Sequence, residues 1–342
     1  MRVNGLIFTN IGQSKTKKVY RMIWATLAIL VGLPVLIWSA ERFIHGASFT
    51  AGYFGISPLF IGMFIIGFGT SAPEIIVSIF AAIQGNGGLA LGNAFGSNIT
   101  NITLVLGTTA LLSPIMVKSE IVRKELPILL AVTFFAIWQL LDLELSSDDA
   151  FSLLGIFVLF LSWSVWQALK QPKDQLGEAV TNELTESQFQ LKPHLIWLAI
   201  GLIMLIVSSR ALVWGAVEVA QYFNVSDVII GLTIVGIGTS LPELISSIIA
   251  VRRNEHELAI GNVVGSNLFN TLAVVGIAGV IEPVLVDATF LYRDGLLMLG
   301  LTVALLTFCL GVKGPGKINR FKGLALLLCF VGYNAYLVST QF

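Results

Sequence analysis

Hydrophobic residues in this chain form long runs that alternate with short polar segments. About 20 apolar residues are enough to cross a bilayer as a helix. The pattern predicts ten such spans, at about 22–42, 57–83, 88–112, 125–141, 151–169, 195–217, 226–251, 257–281, 291–312 and 321–340. A transmembrane barrel would show short alternating segments instead. We therefore expect an all-α integral membrane protein with ten transmembrane helices.

One segment of this pattern occurs twice. GTSAPE at 69–74 returns as GTSLPE at 238–243, and LGNAFGSN at 91–98 returns as IGNVVGSN at 260–267, both with an offset of 169 positions. Five predicted spans fall in each half, and an odd number inverts the second half relative to the first. The sequence thus predicts two inverted five-helix repeats, at 22–170 and 194–342. A polar basic tail (1–21) precedes them and a linker (171–193) joins them.

Composition agrees with a membrane protein, and the positions of the charges predict its orientation. Charged residues make up 12% of the chain and hydrophobic residues 56%, whereas soluble proteins carry about 25% charged residues. Lysine and arginine concentrate in the loops near 113–125, 251–257 and 313–322. Cytoplasmic loops carry an excess of positive charge. We therefore expect these loops and the linker 171–193 in the cytoplasm.

Each repeat places one carboxylate in a strongly apolar stretch, Glu74 in the first and Glu243 in the second. A carboxylate in a membrane is costly and indicates a functional site by default. Hydroxyl groups lie three or four residues before each acid, about one helical turn away. They belong to Thr70, Ser71, Thr239 and Ser240.

The proline of each GTS-x-PE motif changes what the backbone offers. Pro73 and Pro242 cannot donate a backbone hydrogen bond, so the carbonyls one turn earlier, at Gly69 and Gly238, are freed. Irregular backbone inside a membrane is tolerated only where other groups satisfy it. A bound ion is one group that could do so.

The second motif of each repeat adds further oxygen donors. Ser97 and Asn101 have i, i+4 spacing and share a helix face, and Ser266 and Asn270 repeat this arrangement. Ca²⁺ binds 6–8 oxygen ligands in flexible geometry, whereas soft metals call for cysteine or histidine. Two carboxylates neutralise one Ca²⁺. The sequence therefore predicts a divalent cation site between the two repeats, as transporters built from such repeats have.

Small and polar residues in membrane helices also serve close helix packing. We expect packing roles for the glycines of the two GxxxG spacings, which are Gly92, Gly96, Gly261 and Gly265. For Asn93 and Asn262, packing and ion contact remain alternatives.

The doubled GTS-x-PE and GN-xx-GSN motifs resemble those of the calcium/sodium antiporters of the cation/Ca²⁺ exchanger superfamily, in its bacterial inner-membrane branch. The resemblance extends over nearly the whole chain after the tail. It implies a multi-pass protein of the inner (plasma) membrane in which Na⁺ entering down its gradient drives Ca²⁺ out by alternating access. It implies no cofactor, and its partners would be the Ca²⁺ and Na⁺ ions and the lipid bilayer, with no nucleic acid and no obligate protein.

The resemblance also implies a set of ion ligands. Carried over by position, they are the side chains of Thr70, Ser71, Glu74, Ser97, Thr239, Ser240, Glu243 and Ser266 and the carbonyls of Gly67 and Gly236. We add Asn101 and Asn270 from their spacing. Some relatives carry aspartate where this chain has Asn270, and in the potassium-dependent branch that acid is tied to K⁺ use. The amide here predicts transport that does not require K⁺.

The same residues also allow another kind of exchange, and only the resemblance favours Na⁺ over it. Ca²⁺/H⁺ exchange, in which the two glutamates themselves take up protons, is the closest alternative. A cation channel with an acidic constriction is a further alternative, but discontinuous helices in two inverted repeats speak against it. An enzyme is not expected, because Ser71 and Ser240 have no histidine or lysine partner in a plausible span to activate them.

Overall fold

The computed structural model describes residues 4–54, 56–170, 191–223, 236–310 and 316–339, and these are mostly helical. The first half contains the helices α1 (Asn4–Phe54), α2 (Pro58–Thr70), α3 (Ala72–Ile83), α4 (Gly87–Leu112), α5 (Ser119–Arg123), α6 (Glu125–Gln139) and α7 (Ser147–Lys170). The second half contains α8 (Leu191–Tyr222), α9 (Gly236–Thr239), α10 (Leu241–Arg252), α11 (His256–Ile281), α12 (Ala288–Cys309) and α13 (Arg320–Ser339). Short strands lie between them: β1 (Ile115–Val117), β2 (Glu144–Leu145), β3 (Val284–Leu285) and β4 (Gly316–Ile318).

The prediction of a helical protein with many membrane-length segments is confirmed. Eight helical stretches within the described ranges are long and apolar enough to cross a membrane, and α2 with α3 adds a ninth that is bent by 45°. The predicted span 226–251 lies partly outside the described residues, and α9 and α10 are its visible part. Most of the linker 171–193 also lies outside them, with α8 beginning at Leu191. The count of ten spans therefore stays a prediction.

In both copies of the GTS-x-PE motif, the helix is interrupted at the serine. Ser71 has φ −81° and ψ 3°, and Ser240 has φ −88° and ψ 7°, both outside helical geometry. Pro73 and Pro242 lie in the first turn of the helix that follows, where a missing N–H costs little because it would have no helical partner. The break places each glutamate in the first turn of a new helix.

Within the described ranges, wide π-helical turns interrupt four helices, at Gly62–Gly67, Asn101–Val105, Asn270–Val274 and Leu291–Gly295. Such turns are frequent at functional sites. Three of them contain predicted ligand positions, which are Gly67, Asn101 and Asn270. The pattern of apolar residues does not predict these turns, because one extra residue in a turn leaves the run of apolar residues unchanged.

Two short antiparallel ladders join the first half of the chain to the second. β1 pairs with β4, with Ile115 opposite Ile318, and β2 pairs with β3, with Glu144 opposite Leu285. The sequence predicts only helices and loops at these positions, so the all-α prediction is corrected in this detail. The sequence does carry a signal for β1 and β3. Each begins directly after a proline with a short apolar run, IMV or VLV, that is rich in β-branched residues.

Helix α11 approaches α2 through glycine. A Cβ atom on Gly261 would lie 2.7 Å from the carbonyl oxygen of Leu59, and one on Gly265 would likewise collide with the α2 backbone. Backbones approach this closely only where side chains are absent. The predicted packing role of these two glycines is confirmed. At Gly92 and Gly96, their counterparts in the first half, no described atom lies within 4 Å of the Cβ position.

The longest helices, α1 and α8, form an antiparallel pair. A Cβ atom on Gly46, late in α1, would lie 2.8 Å from the carbonyl oxygen of His194, near the start of α8. One on Gly215, late in α8, would lie 2.6 Å from the carbonyl oxygen of Ala25, early in α1. The two helices therefore lie side by side over most of their length.

Candidate ion-binding site

The two glutamates of the repeated motif are fully buried, with 0% of either residue exposed. Glu74 lies in the first turn of α3 and Glu243 in the first turn of α10. The carboxylates are close enough to repel each other. The structure thus brings together two acids that are far apart in the sequence, one from each half.

The carboxylate oxygens are nearly without partners. Within the described part of the chain, neither oxygen of Glu74 has a hydrogen-bond partner, and neither does Oε2 of Glu243. Oε1 of Glu243 accepts a hydrogen bond of 3.2 Å from Oγ of Ser71, which belongs to the other half. A buried ionised group without a partner costs several kcal/mol. The pair therefore favours a cation between its carboxylates.

Hydroxyl groups of the first half lie beside both glutamates. Ser97 interacts with Glu74, and Thr70 with Glu243, in each case without the full geometry of a hydrogen bond. Oγ of Ser240 has no hydrogen-bond partner among the residues described. These oxygens are uncharged and hard, which is the ligand type that Ca²⁺ and similar cations take.

Two further predicted ligands meet where α2 crosses α11. Oγ of Ser266 donates a hydrogen bond of 3.1 Å to the carbonyl oxygen of Gly67. Two predicted ligands of the second half lie at the edge of the described residues. Gly236 begins α9 next to residues outside the described ranges, and Thr239 ends α9 with its side chain half-buried.

Asn101 and Asn270, which follow the second motif of each repeat, begin the two equivalent π turns, and both are fully buried. Nδ2 of Asn101 donates to Oδ1 of Asn267 at 3.1 Å. Oδ1 of Asn101 and both polar atoms of Asn270 have no hydrogen-bond partner in the described chain. Buried polar groups are nearly always satisfied, so these amide oxygens are open positions for a ligand.

The two backbone carbonyls freed by proline, at Gly69 and Gly238, have different surroundings. The carbonyl oxygen of Gly238 accepts a hydrogen bond of 3.1 Å from Oγ of Ser209 in α8. The position 169 residues earlier is Ala40, which has no hydroxyl. A side chain of α8, rather than an open position, thus satisfies the freed carbonyl in the second half.

Sequence reasoning missed Arg210, which is the only charged residue in the predicted span 195–217. Its side chain is exposed, and its positive charge attracts the Glu74 carboxylate. Charged residues inside membrane segments nearly always face the protein interior or a water-filled cavity. A single arginine inside an apolar run was the available signal.

Comparison with known proteins agrees with this geometry. The family described as sodium/calcium exchanger protein matches residues 24–166 and 193–339. The chain is 47% identical over 326 residues to CaxA of Alkalimonas amylolytica, a match that covers 93% of this chain and 100% of that protein. It is 40% identical over 291 residues to the inner membrane protein YrbG of Escherichia coli K12, covering 84% and 89%.

A solved structure of the sodium-calcium exchanger NCX_Mj matches this fold with a TM-score of 0.79 and 30% sequence identity, covering 92% of this chain and 98% of that one. The matches include both copies of the repeated motifs and both halves of the chain. The chain belongs to the sodium/calcium exchanger family of membrane antiporters.

Proposed function

We propose that this protein exchanges Na⁺ for Ca²⁺ across the membrane, with the ions bound between the two halves by Glu74 and Glu243. One observation carries the proposal: two fully buried carboxylates, one from each half, have three of their four oxygens unpartnered in the described chain. Such a pair is stable only with a positive load. The remaining ligands would be the hydroxyl, amide and carbonyl oxygens predicted from the two motifs.

The charge of the site supports exchange rather than joint binding. Glu74 and Glu243 contribute two negative charges, and asparagine at 101 and 270 adds none. One Ca²⁺ neutralises the pair, so Na⁺ and Ca²⁺ bound together would leave excess positive charge in a dry interior. Each load relieves the repulsion between the carboxylates, which lets the surrounding helices close over it. Binding of the two ions is therefore mutually exclusive.

The repeated local structure supports ten spans in two inverted five-helix repeats. The serine breaks, the π turns that begin at Asn101 and Asn270, and the strands β1 and β3 all recur at the same offset in the chain. Such repeats permit alternating access around one fixed site. The positive loops support a cytoplasmic position for the linker 171–193, and the similarity to YrbG supports the inner membrane as the location.

The proposal is tested by uptake of radioactive Ca²⁺ into proteoliposomes loaded with Na⁺, beside matched vesicles loaded with choline. We expect uptake only with the outward Na⁺ gradient, and none in the variants Glu74→Gln and Glu243→Gln. Glu144→Gln is the matched control, because that acid is exposed on strand β2. Uptake without a Na⁺ gradient, or uptake that survives in both glutamine variants, would contradict the proposal.

Ca²⁺/H⁺ exchange through the same glutamates is the second candidate. The chain is 26% identical over 284 residues to the Ca(2+)/H(+) antiporter ChaA of Bacillus subtilis. Unpartnered buried carboxylates can also bind protons. A pH gradient that drives Ca²⁺ into Na⁺-free vesicles would favour this candidate over Na⁺ exchange.

A further inference from the structure

Two asparagines, one in each half, donate hydrogen bonds to the backbone of the two glutamates. Asn93 of α4 and Asn262 of α11 occupy equivalent places in the repeated motif. Nδ2 of Asn93 donates to the backbone carbonyl of Glu74 at 3.0 Å, and Nδ2 of Asn262 donates to that of Glu243 at 3.1 Å. Each nitrogen also donates to a serine one turn further along, Ser78 at 3.0 Å and Ser247 at 2.8 Å. Both asparagines therefore fasten the backbone of a glutamate to a neighbouring helix.

These contacts fix which way the amide of Asn262 points. A backbone carbonyl oxygen only accepts hydrogen bonds, so the nitrogen of the amide must face Glu243. The amide oxygen then faces the other half, where Oγ1 of Thr70 lies 3.1 Å from it. Asn262 thus joins a glutamate of the second half to a hydroxyl of the first half.

The direction of this last hydrogen bond decides what the hydroxyl can do. A threonine hydroxyl has one hydrogen and two lone pairs. Oγ1 of Thr70 lies within hydrogen-bond distance of three acceptors, which are the amide oxygen of Asn262 at 3.1 Å and the backbone carbonyls of Ile66 at 2.9 Å and Gly67 at 3.4 Å. With its hydrogen directed to any of these, rather than to the carboxylate of Glu243 beside it, the oxygen keeps its lone pairs for a cation. A hydroxyl that turned its hydrogen toward the site would repel one.

Asn262 has no spare hydrogen-bonding group for another purpose. Only 1% of the residue is exposed, both of its N–H groups have acceptors, and its oxygen has a donor. Fully satisfied polar networks in a dry interior are rigid. Aspartate would lose the two donors, and leucine would lose all three bonds.

We propose that Asn262 is a positioning residue of the ion site, which holds the Thr70 oxygen ready to bind a cation and keeps the backbone of Glu243 in place. The inference rests on the proposed function, because it takes Thr70 and Glu243 as ligands of the transported ions. It also resolves the choice left by the sequence between packing and ion contact: Asn262 acts on the ion through the residues that it holds.

The test measures ion binding at equilibrium in purified protein in lipid nanodiscs, using radioactive Ca²⁺ displaced by Na⁺. We expect Asn262→Ala to weaken the apparent affinity for cations about three- to tenfold, as the loss of a hydrogen bond would. In a Thr70→Val background the same substitution should have a smaller effect, because the hydroxyl that Asn262 orients is gone and only its hydrogen bond to the backbone of Glu243 remains to be lost. In a Thr70→Ser background, which keeps the hydroxyl, the full effect should return.

Ser247→Ala is the matched control, since it removes one hydrogen bond of Asn262 and leaves the contacts of Asn262 with Thr70 and Glu243. We expect a smaller loss of cation affinity from it than from Asn262→Ala. Equal losses from Asn262→Ala in all three backgrounds would overturn the inference, and so would a lower melting temperature with unchanged affinity. Equilibrium binding does not depend on which gradient drives transport, so failure of Na⁺-driven uptake in the wild type would reject the proposed function separately.

Discussion

Ser71 donates a hydrogen bond of 3.2 Å to Oε1 of Glu243, and the two residues come from different copies of the same motif. The serine that breaks the helix in the first half thus contacts the acid of the second half. The first motif thus contributes to the surroundings of the second motif's carboxylate. A ligand bound there would contact both halves at once.

Removal of this hydroxyl should weaken Ca²⁺ binding. Ser71→Ala deletes the donor to a buried carboxylate, and hydrogen bonds to charged groups are among the strong ones, so we expect the half-saturating Ca²⁺ concentration to rise about tenfold. Ser240→Ala is the matched variant, because Oγ of Ser240 has no hydrogen-bond partner among the described residues. Its effect should be smaller. Concentration-dependent uptake of radioactive Ca²⁺ measures both, and equal losses would contradict the asymmetry.

Asn270 should determine how many monovalent cations the site accepts. Wild-type transport should be unchanged when K⁺ is removed. Asn270→Asp adds a third negative charge in a fully buried position, so we expect a steeper dependence of Ca²⁺ exchange on Na⁺ concentration. Initial rates of Ca²⁺ exchange measured over a range of Na⁺ concentrations test this, with Asn101→Asp as the repeat-related comparison. An unchanged Na⁺ dependence in Asn270→Asp would contradict it.

Arg210 should oppose cation binding. Its fixed positive charge attracts the Glu74 carboxylate and therefore repels any cation bound beside it. Arg210→Gln should lower the half-saturating Ca²⁺ concentration about two- to fivefold, and the half-saturating Na⁺ concentration less, because repulsion scales with the charge of the ion. Arg42→Gln is the control, since that guanidinium packs 5.1 Å from the ring of Trp197. A fall in Ca²⁺ affinity in Arg210→Gln would refute this assignment.

The close approach of α2 and α11 should be sensitive to a single methyl group. Gly265→Ala places a Cβ atom against the α2 backbone, and overpacking of this kind costs about 1–3 kcal/mol. We expect a lower melting temperature in detergent. Gly300→Ala in α12 is the control, because no described atom lies within 4 Å of its Cβ position. Equal melting temperatures for the two variants would show that the helices can separate freely.

The sequence predicted the broken helices and the two buried acids because each has few alternative explanations. A carboxylate in an apolar stretch requires a partner, and the exact offset of the two motifs made Glu74 and Glu243 equivalent. Proline at the same place in both copies marked the start of α3 and α10. These features are local, so residue types and spacing are enough to find them.

The contacts across the halves were out of reach of the same reasoning. Ser71 is 172 positions from Glu243, and Ser266 is 199 positions from Gly67. The pairing of hydroxyl and acceptor over such separations depends on how the helices pack. The periodicity of the sequence carries no information about that packing. The π turns were missed for a related reason, since widening one turn changes the facing of side chains without changing their type.

The ladders β1–β4 and β2–β3 each take one strand from the first half and one from the second. Swinging the two halves apart as whole bodies would therefore break the backbone pairing of both ladders. The alternating access proposed above would avoid this loss if the elements outside the ladders moved. The paired strands and the helices that they connect would then keep their places while the other helices move.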